Sequence, residues 1–381
     1  MIMKVAVLGG GLVGGVIARD LASGGEFDVT VADFSAATLS RLENVAGIGV
    51  VRADLSDPAT VRRVVDGHDL VVGAVPGHMG FATLAAVIET GKPIVDISFF
   101  PEDALTLDEL ARTRGVCAVV DCGIAPGCSN LILGRMEKEF DELERFVCYV
   151  GGLPVVRTWP WEYKAPFSPS DVLEEYTRPA RYVADGRVVT MPALSEPELI
   201  EFPEVGTLEA FNTDGLRSLL VTVKAPNMIE KTMRYPGHIE KIRVLRESGF
   251  FATEPLEVGG LRVRPLDVTS KLLFPFWQFA PGEEDLTAMR VIVEGSKGGR
   301  RVRRTWEMVD RFDRSTMTTS MARTTGYTCT AGVRLVAAGL WERKGVSPPE
   351  YIGRDPRCYE FVMADLAKRG VVFRESTEPL P

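Results

Sequence analysis

Within KTMRYPGHIEK, Lys231 to Lys241, an arginine, a tyrosine and one of only three histidines in the chain sit around a Pro-Gly turn. Arg234 offers a planar fork of donors that matches a carboxylate, and Tyr235 adds a hydroxyl or an apolar wall. His238 has an intrinsic pKa that lets it accept a proton near neutrality. A turn at Pro236 and Gly237 lets all three project to one place, as loop-borne functional groups often do. Lys164 and Asp121 are further candidates for proton transfer, since burial can bring either group into a working range. Each has a structural alternative. A histidine after such a turn also starts helices, Arg234 also pairs with Glu240, Asp121 also caps the helix after Pro126, and lysines ordinarily sit in water.

A second constellation lies at the start, where KVAVLGGGLVGGVIARDLA reads as an apolar strand, a glycine turn and a helix. Gly9-x-Gly11-x-x-Gly14 in that setting is a dinucleotide fingerprint. Gly9 makes the tight turn, Gly11 lets a pyrophosphate approach the backbone, and Gly14 lets the helix pack on the strand. Leu12 and Val13 complete the loop, and the helix start offers unpaired N–H groups to phosphate. Asp33 ends the next strand, nineteen residues after Gly14. A carboxylate there accepts hydrogen bonds from ribose hydroxyls and repels a 2′-phosphate, so NAD is expected over NADP. Asp54, ending a third strand, is placed to face the adenine. Val75 and Pro76 end a fourth, over the crevice where open parallel sheets bind ligand, and His78 follows on the nicotinamide side.

The elements that must carry these groups alternate. Strands are expected in KVAVL, FDVTVADF, VVRADLSD, DLVVGAVPGH, KPIVDIS and VCAVVDCG, with helices between them, including Pro58 to Val65 and Phe81 to Thr90. That order predicts a Rossmann doubly wound parallel sheet. The middle of the chain, with SLLVTVKAP, LRVRPLDVTS and AMRVIVEGSKGGRRVRRTWEMVD read as strands, predicts a second α+β domain with a mainly antiparallel sheet. The expected domains are 1–124 with 326–381 for the dinucleotide, and 125–325 for substrate binding and dimerisation. The site then falls in the cleft between them.

At this point the residues carry a resemblance. GAVPGHMGFATLAAVIETGKPIVDISFF followed by VVDCGIAPGCSNLIL resembles the saccharopine dehydrogenase family. Gly123, Pro126 and Gly127 match its join between domains, while Ala125 stands where the saccharopine-forming members typically have aspartate. Tyr163, Lys164, Phe167, Ser168 and Pro169 are similar to its Tyr-Lys-x-x-aromatic-Ser-Pro stretch, and Arg234, Tyr235 and Gly237 to its Arg-Tyr-x-Gly element. The resemblance spans nearly the whole chain. The length and the Pro-Gly-His after Arg-Tyr are most similar to the branch that uses NAD to oxidise the ε-amine of free lysine and releases ammonia. It implies Arg234 and Tyr235, with Tyr163, as substrate contacts, and His238, Lys164 or Asp121 as the group that keeps the reacting amine neutral. The alternatives are a saccharopine or carboxyspermidine type of imine reduction, with Arg178 or Arg181 for an extra carboxylate, and a non-catalytic dinucleotide-binding relative.

Bulk properties narrow the partners. A net charge of −8 and a pI near 5.3 argue against nucleic acid as a partner. The basic run from Gly298 to Arg304 reads as a solvated hairpin arm. No leader pattern or spanning apolar stretch is visible, and the six scattered cysteines lack metal-site spacing, so a cytoplasmic chain with reduced thiols and no metal or membrane contact is expected. The small-molecule partner is an amino acid, and a homodimer or higher homo-oligomer through the middle sheet is the expected assembly.

Overall fold

The computed structural model describes residues 2–381. Six strands, β1 (Met3–Leu8), β2 (Phe27–Asp33), β3 (Ile48–Arg52), β4 (Leu70–Gly73), β5 (Ile94–Asp96) and β6 (Cys117–Val119), come first. The chain then forms β7 (Glu142–Pro154), β8 (Ala180–Ala184), β9 (Arg187–Met191), β10 (Glu198–Phe202), β11 (Gly206–Asn212) and β12 (Asn227–Arg234). A short pair, β13 (Leu256–Val258) and β14 (Leu261–Val263), precedes the long hairpin β15 (Asp285–Lys297) and β16 (Arg300–Arg311). Two late strands, β17 (Gly345–Ser347) and β18 (Arg374–Pro379), finish it.

One sheet runs β17-β6-β5-β4-β1-β2-β3, with every pairing parallel. Helices cover both faces, so its central strands are apolar and buried: Val5, Ala6, Val7 and Leu8 have no exposed surface. The order reverses beside β1, which puts a crevice at the carboxyl ends of β1 and β4. The helix Pro58–Val65 begins and ends where the sequence places it, with Asp57 accepting hydrogen bonds from the Ala59 and Thr60 N–H groups.

The second sheet follows the path β10-β11-β12-β7-β15-β16-β18, with β8 and β9 beside β12. It is antiparallel except where β12 runs parallel to β7. The last strand corrects the expected boundary, because β18 pairs with β16 and so belongs to the second sheet, whereas β17 completes the first. SLLVTVKAP is also corrected: it contains the short helix Leu219–Thr222 and no strand. Leu216, Leu219 and Val223 recur at helical spacing and enter the core on one side. In LRVRPLDVTS the strand stops at Val263, and Pro265 opens a helix reaching Trp277, as its fixed φ favours at a first helical position.

The helix Ser320–Ala337 binds the halves together. It packs on the helices Gly14–Ser23 and Pro356–Lys368 and on β15. Its start is held by Asp285, whose carboxylate accepts the N–H groups of Ser320 at 2.7 Å and Met321 at 3.0 Å.

Candidate active site

Where the sheets face each other lies a cleft of about 430 Å³. One wall is the glycine loop. A Cβ on Gly9, whose φ is +102°, would lie 2.4 Å from the Ala74 carbonyl oxygen, and one on Gly14 would lie 2.0 Å from the Gly9 carbonyl oxygen. Both positions therefore exclude a side chain on packing grounds. Gly11 differs, since a Cβ there meets nothing within 4 Å and would project into open space at the helix start. Asp33 is held by the backbone, with Oδ2 accepting the Gly10 N–H and Oδ1 the Ser35 N–H, both at 2.8 Å. A bare loop, a helix start and a positioned carboxylate fit a dinucleotide. Gly9, Gly11, Leu12, Val13, Gly14, Asp33, Val75 and Pro76 line this wall together.

The opposite wall comes from the second domain. On β12 the two-residue period turns Glu230, Thr232 and Arg234 into the cleft. The helix Pro169–Thr177 presents Asp171, Glu174, Glu175 and, at its end, Arg178, at the spacing of one helical face. Asp121, Asp214 and the Gly123–Pro126 join close the remaining sides.

Arg234 is the hub of a buried chain of hydrogen bonds. His238 Nδ1 lies 2.9 Å from the Trp161 carbonyl, so that nitrogen donates and Nε2 accepts from the Tyr176 hydroxyl, also at 2.9 Å. The Tyr176 oxygen in turn accepts Arg234 Nε–H at 3.0 Å, and Arg234 Nη2 donates to Glu175 at 2.7 Å. The Tyr163 ring stacks on the guanidinium at 4.4 Å.

This geometry corrects several expectations from sequence. His238 does not face the cleft; it is buried with both ring nitrogens engaged, and burial, reinforced by Arg234, pushes its pKa down to about 3. Tyr235 points elsewhere, its hydroxyl donating to the Pro154 carbonyl. Lys164 pairs with Glu283, and Tyr163 lies behind Arg234, so neither lines the cleft. Asp54 turns back to bind Ser56, and His78 is exposed on the helix Gly77–Glu89 near Asp171. Asp121 does line the cleft, but its carboxylate is met by Arg217. Arg234, among the residues expected to meet substrate, stands on the wall.

The neutral His238 has a consequence for stability. As pH falls from 6.5 toward 3, the unfolded chain takes a proton that the folded ring refuses, so this group's contribution to stability is lost over that interval. Denaturant midpoints measured across that range are expected to fall less steeply in His238→Gln than in the wild type. Equal slopes would contradict the buried neutral ring.

Glu175, Glu230, Asp171 and Asp214 were not singled out from the sequence. Two patterns carry the first three: DVLEEYTR places acids three and four residues apart on a helix, and Glu230, Thr232 and Arg234 alternate along the strand EKTMR. Glu230 is the most perturbed of these. Burial pushes its carboxyl up to about 8, and the acids Glu175 and Asp214 add to the effect.

A Rossmann sheet facing a second, mixed sheet across such a cleft is the arrangement of a two-domain dinucleotide-binding fold. Residues 5–119 match the model of the saccharopine dehydrogenase NADP binding domain and residues 123–371 that of the saccharopine dehydrogenase C-terminal domain. The chain belongs to the saccharopine dehydrogenase family. An alpha-aminoadipic semialdehyde synthase of Arabidopsis thaliana is 24% identical over 57% of this chain and 22% of its own length. The L-glutamate-forming, NADP(+) saccharopine dehydrogenase of Pyricularia oryzae is 26% identical over 54% of this chain and 48% of its own. The chain thus spans less than half the length of these two relatives. The corresponding enzyme of Schizosaccharomyces pombe is 22% identical over 98% of both chains. An apo saccharopine dehydrogenase (L-Glu forming) from Saccharomyces cerevisiae shares the fold, with a TM-score of 0.81 and 20% identity over 99% of this chain and 100% of its own. No helix among the described residues is long and apolar enough to cross a membrane.

Proposed function

We propose that the protein is an NAD-dependent dehydrogenase that oxidatively deaminates the ε-amine of L-lysine, an L-lysine 6-dehydrogenase within its family. The observation that carries this reading is the sign of the charge in the cleft. Away from the glycine loop it is lined by Asp121, Asp171, Glu174, Glu175, Asp214 and Glu230, against Arg178 and Arg234. Arg217 and Arg181 each reach one of these acids, and carboxylate remains in excess. Free lysine brings two ammonium groups and one carboxylate, whereas saccharopine brings three carboxylates and would need further cations. Opposite charges within a few ångströms favour the ionised substrate.

Bound at the glycine loop, NAD supplies the acceptor for the hydride from the carbon that bears the amine. Arg234 uses three of its five N–H bonds within the protein, and the other two serve the substrate carboxylate. Asp171 and Glu174, on the helical face beside it, serve the α-ammonium. The released semialdehyde closes to the cyclic piperideine carboxylate, and ammonia leaves.

Asp33 supports NAD as the cofactor, and kcat/KM is expected to favour NAD over NADP by at least about tenfold. Arg52 lies over the Phe34 ring, beside Asp33 in sequence, and is the group to which a 2′-phosphate would turn. A preference for NADP that is lost in Arg52→Ala would overturn the assignment.

The activity is tested by following NADH with L-lysine, L-ornithine, saccharopine and diamines. Lysine is expected to be the preferred substrate. A signal with saccharopine alone would move the function to imine chemistry of the relatives' kind, and dinucleotide binding without turnover would favour a non-catalytic relative. A homo-oligomer belongs to the same reading, supported by Val268, Leu272 and Phe276 exposed along one side of the helix Pro265–Trp277. Light scattering showing a monomer would contradict it.

A further inference from the structure

We infer that Glu230 is the catalytic residue that takes the proton from the substrate ammonium, an inference that rests on the amine-oxidising reading above. Of the other acids lining the cleft, Asp121 pairs with Arg217, Asp214 with Arg181, Glu174 with Arg178 and Glu175 with Arg234, while Asp171 is only half-buried. Glu230 has none among the described residues, although it is buried. Its one side-chain hydrogen bond is from the Thr213 hydroxyl to Oε2, at 2.6 Å. Room for the carboxyl is made by Gly215, where a Cβ would lie 2.2 Å from Oε2.

Position along β12 supplies the second argument. Glu230 and Arg234 share the cleft face four residues apart, roughly 13 Å along a strand. An extended lysine, from carboxylate to ε-nitrogen, with one hydrogen bond added at each end, spans on the order of 13 Å as well. A substrate carboxylate on Arg234 therefore brings the ε-amine to Glu230. The Glu230 end of the strand also lies toward the domain join, because Cys148, paired with Glu230 across β7 and β12, contacts Ser129 in the helix Cys128–Glu139 that follows it.

The step balances without another reactant. Glu230 as carboxylate accepts one proton from R–CH2–NH3+ and becomes the carboxylic acid, leaving R–CH2–NH2. The nitrogen lone pair then forms the C=N bond as the hydride leaves carbon with its electron pair for NAD+. Water adds to that bond, the aldehyde forms and ammonia departs. The groups facing Glu230 are Thr213 and Asp214 after β11, Glu175 from the helix Pro169–Thr177, Cys148 from β7, and Thr232 on its own strand. These acids and the burial hold the carboxyl near the pH at which an amine must be neutralised.

The test compares the wild type with Glu230→Gln and Glu230→Asp. First, NADH formation by the wild type identifies the amine substrate, which decides the functional reading by itself. On that amine, Glu230→Gln is expected to lower kcat by about 100-fold or more, to leave NAD affinity unchanged and to lose the acidic limb of the pH profile. Glu230→Asp is expected to recover part of the rate. In the cofactor-free protein, infrared spectroscopy should show a carboxylic acid band that titrates near pH 8 and is missing in Glu230→Gln. A glutamine variant within about threefold of wild type that keeps the acidic limb overturns the inference, as does the lack of a Glu230-dependent band.

Discussion

Arg234→Ala is expected to raise KM for lysine by about 100-fold and to destabilise the protein by about 3–5 kcal/mol, the usual cost of removing one partner from a buried ion pair. The expected loss follows from the network around the guanidinium. Without it, Glu175 remains a carboxylate in a buried place, the Tyr176 hydroxyl loses its donor, and the Tyr163 ring loses the cation stacked on it. Arg234→Lys should restore much of the stability and little of the affinity, since an ammonium carries the charge without the planar fork. Denaturant unfolding and steady-state kinetics on the same preparations separate the two effects. A KM for lysine unchanged in both variants would remove Arg234 from the substrate site.

Gly11→Ala is expected to weaken NAD binding by at least about tenfold while leaving the unfolding midpoint close to that of the wild type. Its Cβ would meet no atom of the protein, so folding has little to resist. It would instead occupy the open space at the start of the helix Gly14–Ser23, where N–H groups and the helix dipole attract phosphate. Gly14→Ala is the contrasting case, because its Cβ would lie 2.0 Å from the Gly9 carbonyl oxygen and should lower stability and binding together. Calorimetric titration with NAD, alongside thermal unfolding, distinguishes them. Binding that survives in Gly11→Ala would argue that the pyrophosphate lies elsewhere.

The dinucleotide half was legible in the sequence because its signal is local. A strand, a glycine loop, a helix and an acidic residue at the end of the next strand follow one another within about thirty residues, and each has its own physical reason. The substrate half was legible only in part. Arg234 lies on the cleft wall, whereas the ring of His238 is fixed by the Trp161 carbonyl and by Tyr176, both remote in sequence. A histidine with a suitable intrinsic pKa and one locked neutral in a core look alike until those partners are known. Glu230 shows the reverse. In sequence it is an ordinary strand glutamate; only burial beside Glu175 and Asp214 raises its carboxyl. The segment SLLVTVKAP misled because its β-branched residues favour strands, whereas Leu216, Leu219 and Val223 meet the core at helical spacing.

Specificity for the ε-amine is the central claim, and isotopic labelling tests it most directly. L-lysine labelled at the ε-nitrogen is incubated with the enzyme and NAD, and the ammonia released is analysed beside the NADH formed. Labelled ammonia in a one-to-one ratio with NADH is the expected result. Unlabelled ammonia would place oxidation at the α-amine, and NADH formed from saccharopine without any from lysine would assign the cleft to a different substrate.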